Sequence, residues 1–442
     1  MSGILEKIFK ISENNSNIRR EIMGGITTFF TMSYIIFVQP VVLSACGMDK
    51  GAVLIATCVS AALGTFLMAF LANYPIALAP AMGHNFYFAY VVCLGMGVSW
   101  QVALGANFIS AAIFIFLAFF GLREKLINSV PGAIKNAIAV GIGLLIALIG
   151  LEWSGIIVQV PGTLIGLGDL RSPCVLLSIF GILVISVLLC LKVKGAILLG
   201  ILASAVAALV TGMTKFEGII GTPPSIVPTF FKLDITGALK WNMIGVIFTL
   251  FFLDLFDTVG TLIGIGQEGK FMKDGKLPRA RKALLSDAVG SLAGTTLGTS
   301  TVTSYIESST GVAEGARTGL ANVVTGILLL LSVFLYPLIR MVSAGFSVGE
   351  TTLYPIISPP LIIVGILMMV NVVKINWNDY TESIPAFLTI IIMSFSFSIT
   401  EGISFGFISY TLLKLITRRF KEVPLMISVF SVLFILRYIF LN

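Results

Sequence analysis

Apolar residues fall along this chain in long runs broken by short polar gaps, and the runs form two series of seven. The first series covers 22–45, 52–72, 75–96, 101–121, 131–151, 174–191 and 195–214. The second covers 243–266, 283–297, 300–313, 317–340, 355–373, 383–399 and 402–417. About 20 apolar residues rising 1.5 Å each cross a bilayer, so the pattern predicts fourteen membrane-spanning segments, the shorter ones supported by a surrounding bundle. A leftover run at 424–440 contains Arg437 and reads as an interfacial or peripheral C-terminal helix, with a fifteenth span as the alternative. Residues 1–20 are polar and mixed in charge, without the apolar core and small-residue cleavage site of a signal peptide, and are expected to be a cytoplasmic N-terminal segment.

Composition sharpens this picture. Of 442 residues, 57% are hydrophobic and 11% charged, less than half the roughly 25% charged share of a soluble domain. A soluble enzyme is excluded. The 28 Lys+Arg against 21 Asp+Glu give a formal +7, but the charges are spread through the gaps rather than gathered on one face, so they signal topology rather than nucleic-acid binding. With the N-terminus cytoplasmic, Arg19, Arg20, Arg123, Lys125, Lys192, Lys194, the cluster Lys270 to Lys282, Arg317, Lys374, Arg418, Arg419 and Lys421 share the cytoplasmic side. Lys50, Arg171, Lys215, Lys232, Lys240 and Arg340 are left scattered on the other. The bias satisfies the positive-inside rule and predicts an integral protein of the plasma (inner) membrane with both termini cytoplasmic. Cys46, Cys58, Cys93, Cys174 and Cys190 form no CxxC pair and, with a single histidine, indicate neither a disulfide framework nor a metal site.

The two series resemble each other in order. Met23-Gly-Gly-Ile-Thr-Thr-Phe-Phe30 parallels Met243-Ile-Gly-Val-Ile-Phe-Thr-Leu-Phe-Phe252, and Val59-Ser-Ala-Ala-Leu-Gly-Thr65 parallels Val289-Gly-Ser-Leu-Ala-Gly-Thr295. Ala106-Asn107 opens the fourth run as Ala321-Asn322 opens its counterpart, and Gly195 to Gly200 matches Gly402 to Phe407 more loosely. Because seven is odd, duplicated halves must lie in the membrane with opposite orientation. Such inverted repeats build transporters, with the site at the midplane where broken helices of the two halves meet.

Two segments carry break signals. Pro75, Pro80 and Gly83 divide the third run into an extended lead-in and a half-helix from about residue 83, and the Thr/Val alternation of Gly298-Thr-Ser-Thr-Val-Thr-Ser304 predicts a strand before a polar half-helix in the tenth. A single Pro-kinked helix and an unliganded re-entrant loop are the plainer alternative. Asp254 and Asp257 interrupt the eighth run at i and i+3, on one helix face, and Glu307 lies in the broken tenth segment. Each costs about 2.5–3.5 kcal/mol at a bilayer centre. Without a basic partner nearby in sequence, such a carboxylate takes up a proton, accepts N–H bonds, or does both in turn. That chemistry suits a neutral, N–H-rich ligand arriving with a proton. Either aspartate could instead cap an unwound segment. Asp287 and Glu314 are less central. His84 is a candidate proton carrier or a packing residue, and Phe86, Tyr87 and Tyr90 could stack a flat ring or simply fill the bundle.

At these residues the sequence resembles the AzgA-like branch of the nucleobase permeases, relatives of the uracil and xanthine transporters. The resemblance runs from Gly24 to Pro40, through Ala77 to Gly83, to Ile403 to Tyr410, and is most specific in Asp254-Leu-Phe-Asp-Thr-Val-Gly-Thr261 and Thr303-Ser-Tyr-Ile-Glu-Ser-Ser-Thr-Gly311. It implies an all-α polytopic fold of fourteen segments in two inverted repeats, divided into a core domain (21–121 and 243–341) and a gate domain (122–214 and 342–417). Residues 215–242 become an extracytoplasmic connection and 418–442 a cytoplasmic C-terminal segment or interfacial helix. By the same resemblance Asp257, Thr261, Glu307 and Asn85 stand at positions that hold the base; Phe86 and Ser308 beside them are further candidate substrate contacts, and Asp257, Glu307, Asp254 and His84 are candidates for proton coupling. Two departures stand out. The glycine after Glu307 comes four positions on, at Gly311, where the uracil and xanthine branches have it three on, and His84 occupies a place expected to be aliphatic.

The expected function is therefore proton-coupled import of purine bases such as adenine, guanine or hypoxanthine, by alternating access, with no cofactor beyond the proton, no metal and no nucleic-acid partner. Membrane lipids surround the protein, and a homodimer is a family expectation. A uracil or xanthine permease is the alternative within the fold. An anion transporter is disfavoured because Asp257 and Glu307 would repel its cargo, and an intramembrane hydrolase because no nucleophile–base or metal-ligand set is visible.

Overall fold

The computed structural model describes residues 2–119, 130–160, 162–272, 277–349 and 351–440. Arg123, Lys125 and the residues 273–276 inside the basic cluster, which figured in the orientation argument, lie outside the described residues. A short N-terminal helix, Ser2–Phe9, is followed by helices or broken helices at every place the hydropathy pattern predicts one. Spans one to seven are Ile18–Ser44, Lys50–Ala72, the broken stretch 78–95, Trp100–Phe119, Gly132–Trp153, Pro173–Cys190 and Ala196–Val210. Spans eight to fourteen are Trp241–Glu268, Ala280–Leu297, the broken stretch 302–313, Gly319–Val342, Ser358–Lys374, Tyr380–Phe395 and Ile399–Ile416. The order is consistent with fourteen segments in two inverted halves. Caps set several starts: Asn17 accepts from the Arg20 amide at 2.9 Å, and Asp49 from the Ala52 amide at 2.8 Å.

Contacts divide the chain into two compact units, Met1–Phe119 with Glu152–Pro360, and Phe120–Leu151 with Leu361–Asn442.

Within the larger unit both predicted breaks occur. The third span begins as strand β1 (Leu78–Pro80) before a helix at Met82–Phe86, which widens into π turns over Tyr87–Gly95. Between spans five and six lies an unforeseen hairpin of β2 (Ile157–Val160) and β3 (Thr163–Leu167). The tenth span begins as β4 (Val302–Ser304) before the helix Ser308–Ala313, and a second unforeseen hairpin, β5 (Phe346–Val348) with β6 (Thr351–Leu353), precedes span twelve. β1 and β4 pair antiparallel, Leu78 with Ser304, Ala79 with Thr303 and Pro80 with Val302.

A two-stranded ribbon inside a bundle leaves two outer edges with unpaired backbone groups, which are costly away from water. Side chains of the neighbouring spans satisfy them. Thr65 Oγ1 accepts from the Leu78 amide (2.9 Å) and donates to the Leu78 carbonyl (3.1 Å), while Ser291 Oγ does the same for Val302 (3.1 and 2.7 Å). Asn322 Nδ2 donates to the Ile76 carbonyl at 2.7 Å, and Asn107 Oδ1 accepts from Thr301 Oγ1 at 2.9 Å. The segments that resemble each other in the two halves thus hold the leads into the two strands.

In the smaller unit, spans thirteen and fourteen form a tight hairpin whose base is an ion cluster. Lys414, fully buried, reaches Glu422 (2.7 Å), Glu382 (3.7 Å) and Asp379 (3.9 Å), and Arg419 pairs with Asp379 (2.6 Å) and Glu422 (2.7 Å). Asp379 precedes span thirteen, and the Thr381 hydroxyl and Arg419 hold its carboxyl well below the usual carboxylate range. Lys414→Met is expected to lower the melting temperature of the purified protein. The loss should stay below the ~3–5 kcal/mol of a fully buried pair because the abandoned carboxylates are partly solvated. Lys10→Ala, which removes an exposed pair with Glu13, should leave it unchanged.

Candidate functional site

The β1–β4 crossing sets the geometry of the site. Glu307 follows β4 by three residues at the start of the tenth-span half-helix, and it is buried. Tyr34, in the middle of span one, donates its hydroxyl to Glu307 Oε1 at 2.8 Å. Asp257, half-buried on span eight, accepts from the Thr303 hydroxyl of β4 at 3.3 Å. Tyr305 anchors the strands by donating to the Pro80 carbonyl at 2.6 Å, and its ring lies 6.5 Å from that of Tyr34. Asp257 and Glu307 are within electrostatic reach of each other and of both tyrosines. Among the described residues, no Lys or Arg forms an ion pair with either acid.

The other residues predicted from sequence take distinct places. Asp254, one turn before Asp257, is fully buried: Thr258 Oγ1 lies 3.5 Å from Asp254 Oδ1 and 2.9 Å from Asp287 Oδ1 of span nine, and Asp287 also accepts from the Ser304 amide at 3.0 Å. The two aspartates that share a helix face in sequence therefore serve different neighbours. Asn85 is buried with its carbonyl engaged, accepting from Gln39 Nε2 at 3.1 Å and from the Ser300 hydroxyl. His84 is buried beside the Leu250 carbonyl of span eight. Ser308 Oγ accepts from the Ala77 amide at 2.9 Å and so ties the tenth-span half-helix to the lead into β1. Thr261 is buried one turn beyond Asp257. The Phe86 ring meets Trp153 edge-on at 6.0 Å and Tyr90 at 5.9 Å, and Trp153 in turn contacts Tyr354 at 4.9 Å.

Tyr34, Gln39 and Tyr305 are additions that sequence reasoning missed. A tyrosine or glutamine inside an apolar run is a weak signal beside a carboxylate. Tyr34 and Tyr305 stand among Thr and Ser residues, so in sequence only Gln39, alone among apolar neighbours, carries a usable hint.

The arrangement offers two acceptor groups, one held by a phenol and one by a threonine, next to half-helix ends from opposite repeats. It can receive N–H donors of an uncharged ligand and can exchange protons without a competing cation. Over residues 19–406 the sequence matches the Permease family, Xan_ur_permease. The chain belongs to this permease family. The guanine/hypoxanthine permease PbuG of Bacillus subtilis is 44% identical over 451 residues, covering 99% of this permease and 100% of the relative. The adenine permease AdeP of Escherichia coli is 42% identical over 441 residues, covering 100% and 97%. Among solved structures, the transmembrane domain of the cyanobacterial bicarbonate transporter BicA superposes with a TM-score of 0.62 at 15% identity, covering 88% of this permease and 97% of that chain, which speaks for the fold alone. The permease is thus a polytopic membrane transporter and not an enzyme.

Proposed function

We propose that this permease imports purine nucleobases together with protons. The observation that carries the proposal is that Asp257 and Glu307 both gather at β4, with no Lys or Arg ion-paired to either among the described residues. Purines present ring N–H groups, and guanine an exocyclic amine, which carboxylates accept well. Two relatives aligned over almost their whole length are named for adenine and for guanine and hypoxanthine. Proton uptake by one acid removes one of the two negative charges of the empty site, so proton and base bind cooperatively and the loaded carrier rearranges by alternating access. An anion carrier of the same fold would have to tolerate both acids beside its cargo.

The test is uptake of radiolabelled hypoxanthine, guanine, adenine, uracil and xanthine into cells lacking their own permeases, with and without a proton uncoupler. Saturable purine uptake that collapses with the uncoupler is expected. Uptake of uracil or xanthine in preference to purines would move the permease to the alternative branch, and uncoupler-insensitive uptake would remove the proton. Tyr34→Phe removes the phenol from Glu307 but keeps the ring. A hydrogen bond to a charged group is worth ~1.5–3 kcal/mol, so it is expected to raise KM for the base between about 10- and 100-fold while leaving protein levels unchanged.

A further inference from the structure

The helix Leu425–Phe440 serves neither the site nor the duplicated halves, yet it is held along its whole length. Contacts with span fourteen run in reverse order. Lys414 pairs with Glu422 in the connecting loop, Thr411 Oγ1 and Ser431 Oγ are 2.8 Å apart, and Ser431 Oγ donates to the Phe407 carbonyl at 2.8 Å. The Phe407 ring meets Phe430 and Phe434 at 6.4 and 6.2 Å. At the far end Arg437 Nη2 donates to Glu401 Oε1 at 2.8 Å, and the Tyr438 hydroxyl donates to the same carboxylate. The helix is therefore antiparallel to span fourteen from the last turn of that span back to its first, and equal numbers of helical residues rise equally far. An interfacial helix needs a charged or strongly polar face. This one has none: no charged residue occurs from 423 to 436, and its outward residues Leu425, Val429, Val432, Leu433, Leu436 and Ile439 are exposed, Leu425 by 81% and Ile439 by 64%. That face continues the exposed apolar surface of Phe405, Leu412 and Ile416 on span fourteen. The one charge near its end, Arg437, is neutralised by Glu401 at the level where span fourteen begins.

We propose that residues 425–440 cross the bilayer as a fifteenth span, with the outward face against lipid acyl chains. The loop 417–424, with Arg418, Arg419 and Lys421, then lies on one side of the membrane and the Tyr438 end of the helix on the other. Lys421→Cys and Asn442→Cys, each in the full-length protein and each checked for normal uptake, should be treated with a membrane-impermeant maleimide before and after permeabilisation. Peptide-level mass spectrometry separates these sites from the native thiols. One position labelled in intact cells and the other only after permeabilisation is the expected result, and both behaving alike overturns the proposal. As a second measurement, a bimane on Val432→Cys should be quenched by lipids brominated at mid-chain. Quenching by aqueous iodide instead, or by neither agent because a second copy covers the face, also overturns it.

Discussion

Glu307→Gln should abolish concentrative purine uptake while leaving the protein in the membrane at normal levels. The amide keeps the size of the side chain and can still accept from Tyr34, so the fold around β4 should persist. It can no longer carry a negative charge or exchange a proton. Replacing a charge-assisted acceptor by a neutral one costs ~2 kcal/mol or more in affinity, about 30-fold, and the loss of coupling removes accumulation against a gradient altogether. Two measurements separate these effects: initial-rate uptake at saturating base, and counterflow of preloaded base, which needs binding and rearrangement but no net proton movement. Residual counterflow with no accumulation is the expected pattern. Full accumulation by Glu307→Gln would remove Glu307 from both roles and sink the proposed mechanism.

The second large effect is steric. Gly311 lies on the half-helix that follows Glu307, pressed against span one, and the Thr31 and Thr310 hydroxyls meet there at 3.0 Å. A Cβ at Gly311 would collide with Thr28 Oγ1 and lie 2.5 Å from the Gly24 carbonyl oxygen. One at Gly24 would lie 2.6 Å from Ala316 Cβ and 2.9 Å from the Gly311 carbonyl oxygen. Backbone cannot yield as a flexible side chain can. Gly311→Ala is expected to cost at least ~1–3 kcal/mol of stability, and Gly311→Val more, by overpacking. Because span one also carries Tyr34, any separation of span one from the half-helix moves the phenol away from Glu307. Gly311→Val should therefore lose uptake and melt at lower temperature in detergent, whereas Glu307→Gln should lose accumulation with little change in melting. Normal uptake by Gly311→Val would show that the close approach is dispensable.

Gly311 also illustrates how sequence and structure divide the information. The spacing of Gly311 from Glu307 is visible in the sequence as a departure from the uracil and xanthine branches. Only the packed structure shows why a glycine stands at 311: it lies against Gly24 and Thr28 of a span almost 290 positions earlier in the chain. The fourteen apolar segments, the two breaks and the candidate acids were legible because each depends on local properties: hydropathy over one crossing, proline and glycine where a helix cannot continue, and a carboxylate where lipid would otherwise be. The repeated Thr65, Asn107 and Asn322 were legible as matches but not as anchors of the strands.

What the chain's own order could not show was which polar groups meet. Asp254 and Asp257 share a helix face, yet Asp254 meets the Thr258 hydroxyl, which itself donates to Asp287 of span nine, while Asp257 accepts from Thr303 of β4. Asn85 looks free beside a broken helix, and its carbonyl is taken by Gln39 and Ser300 from two other segments. The two β-hairpins outside the apolar runs escaped prediction because short strands with partly exposed faces carry no hydropathy signal. The sequence by itself determined a polytopic permease with intramembrane acids, since burial in lipid constrains every residue in proportion to its own polarity. The tertiary structure alone decided which of those acids stand together, since hydrogen-bond partners are set by the distance between segments and leave no mark on the spacing within any one of them.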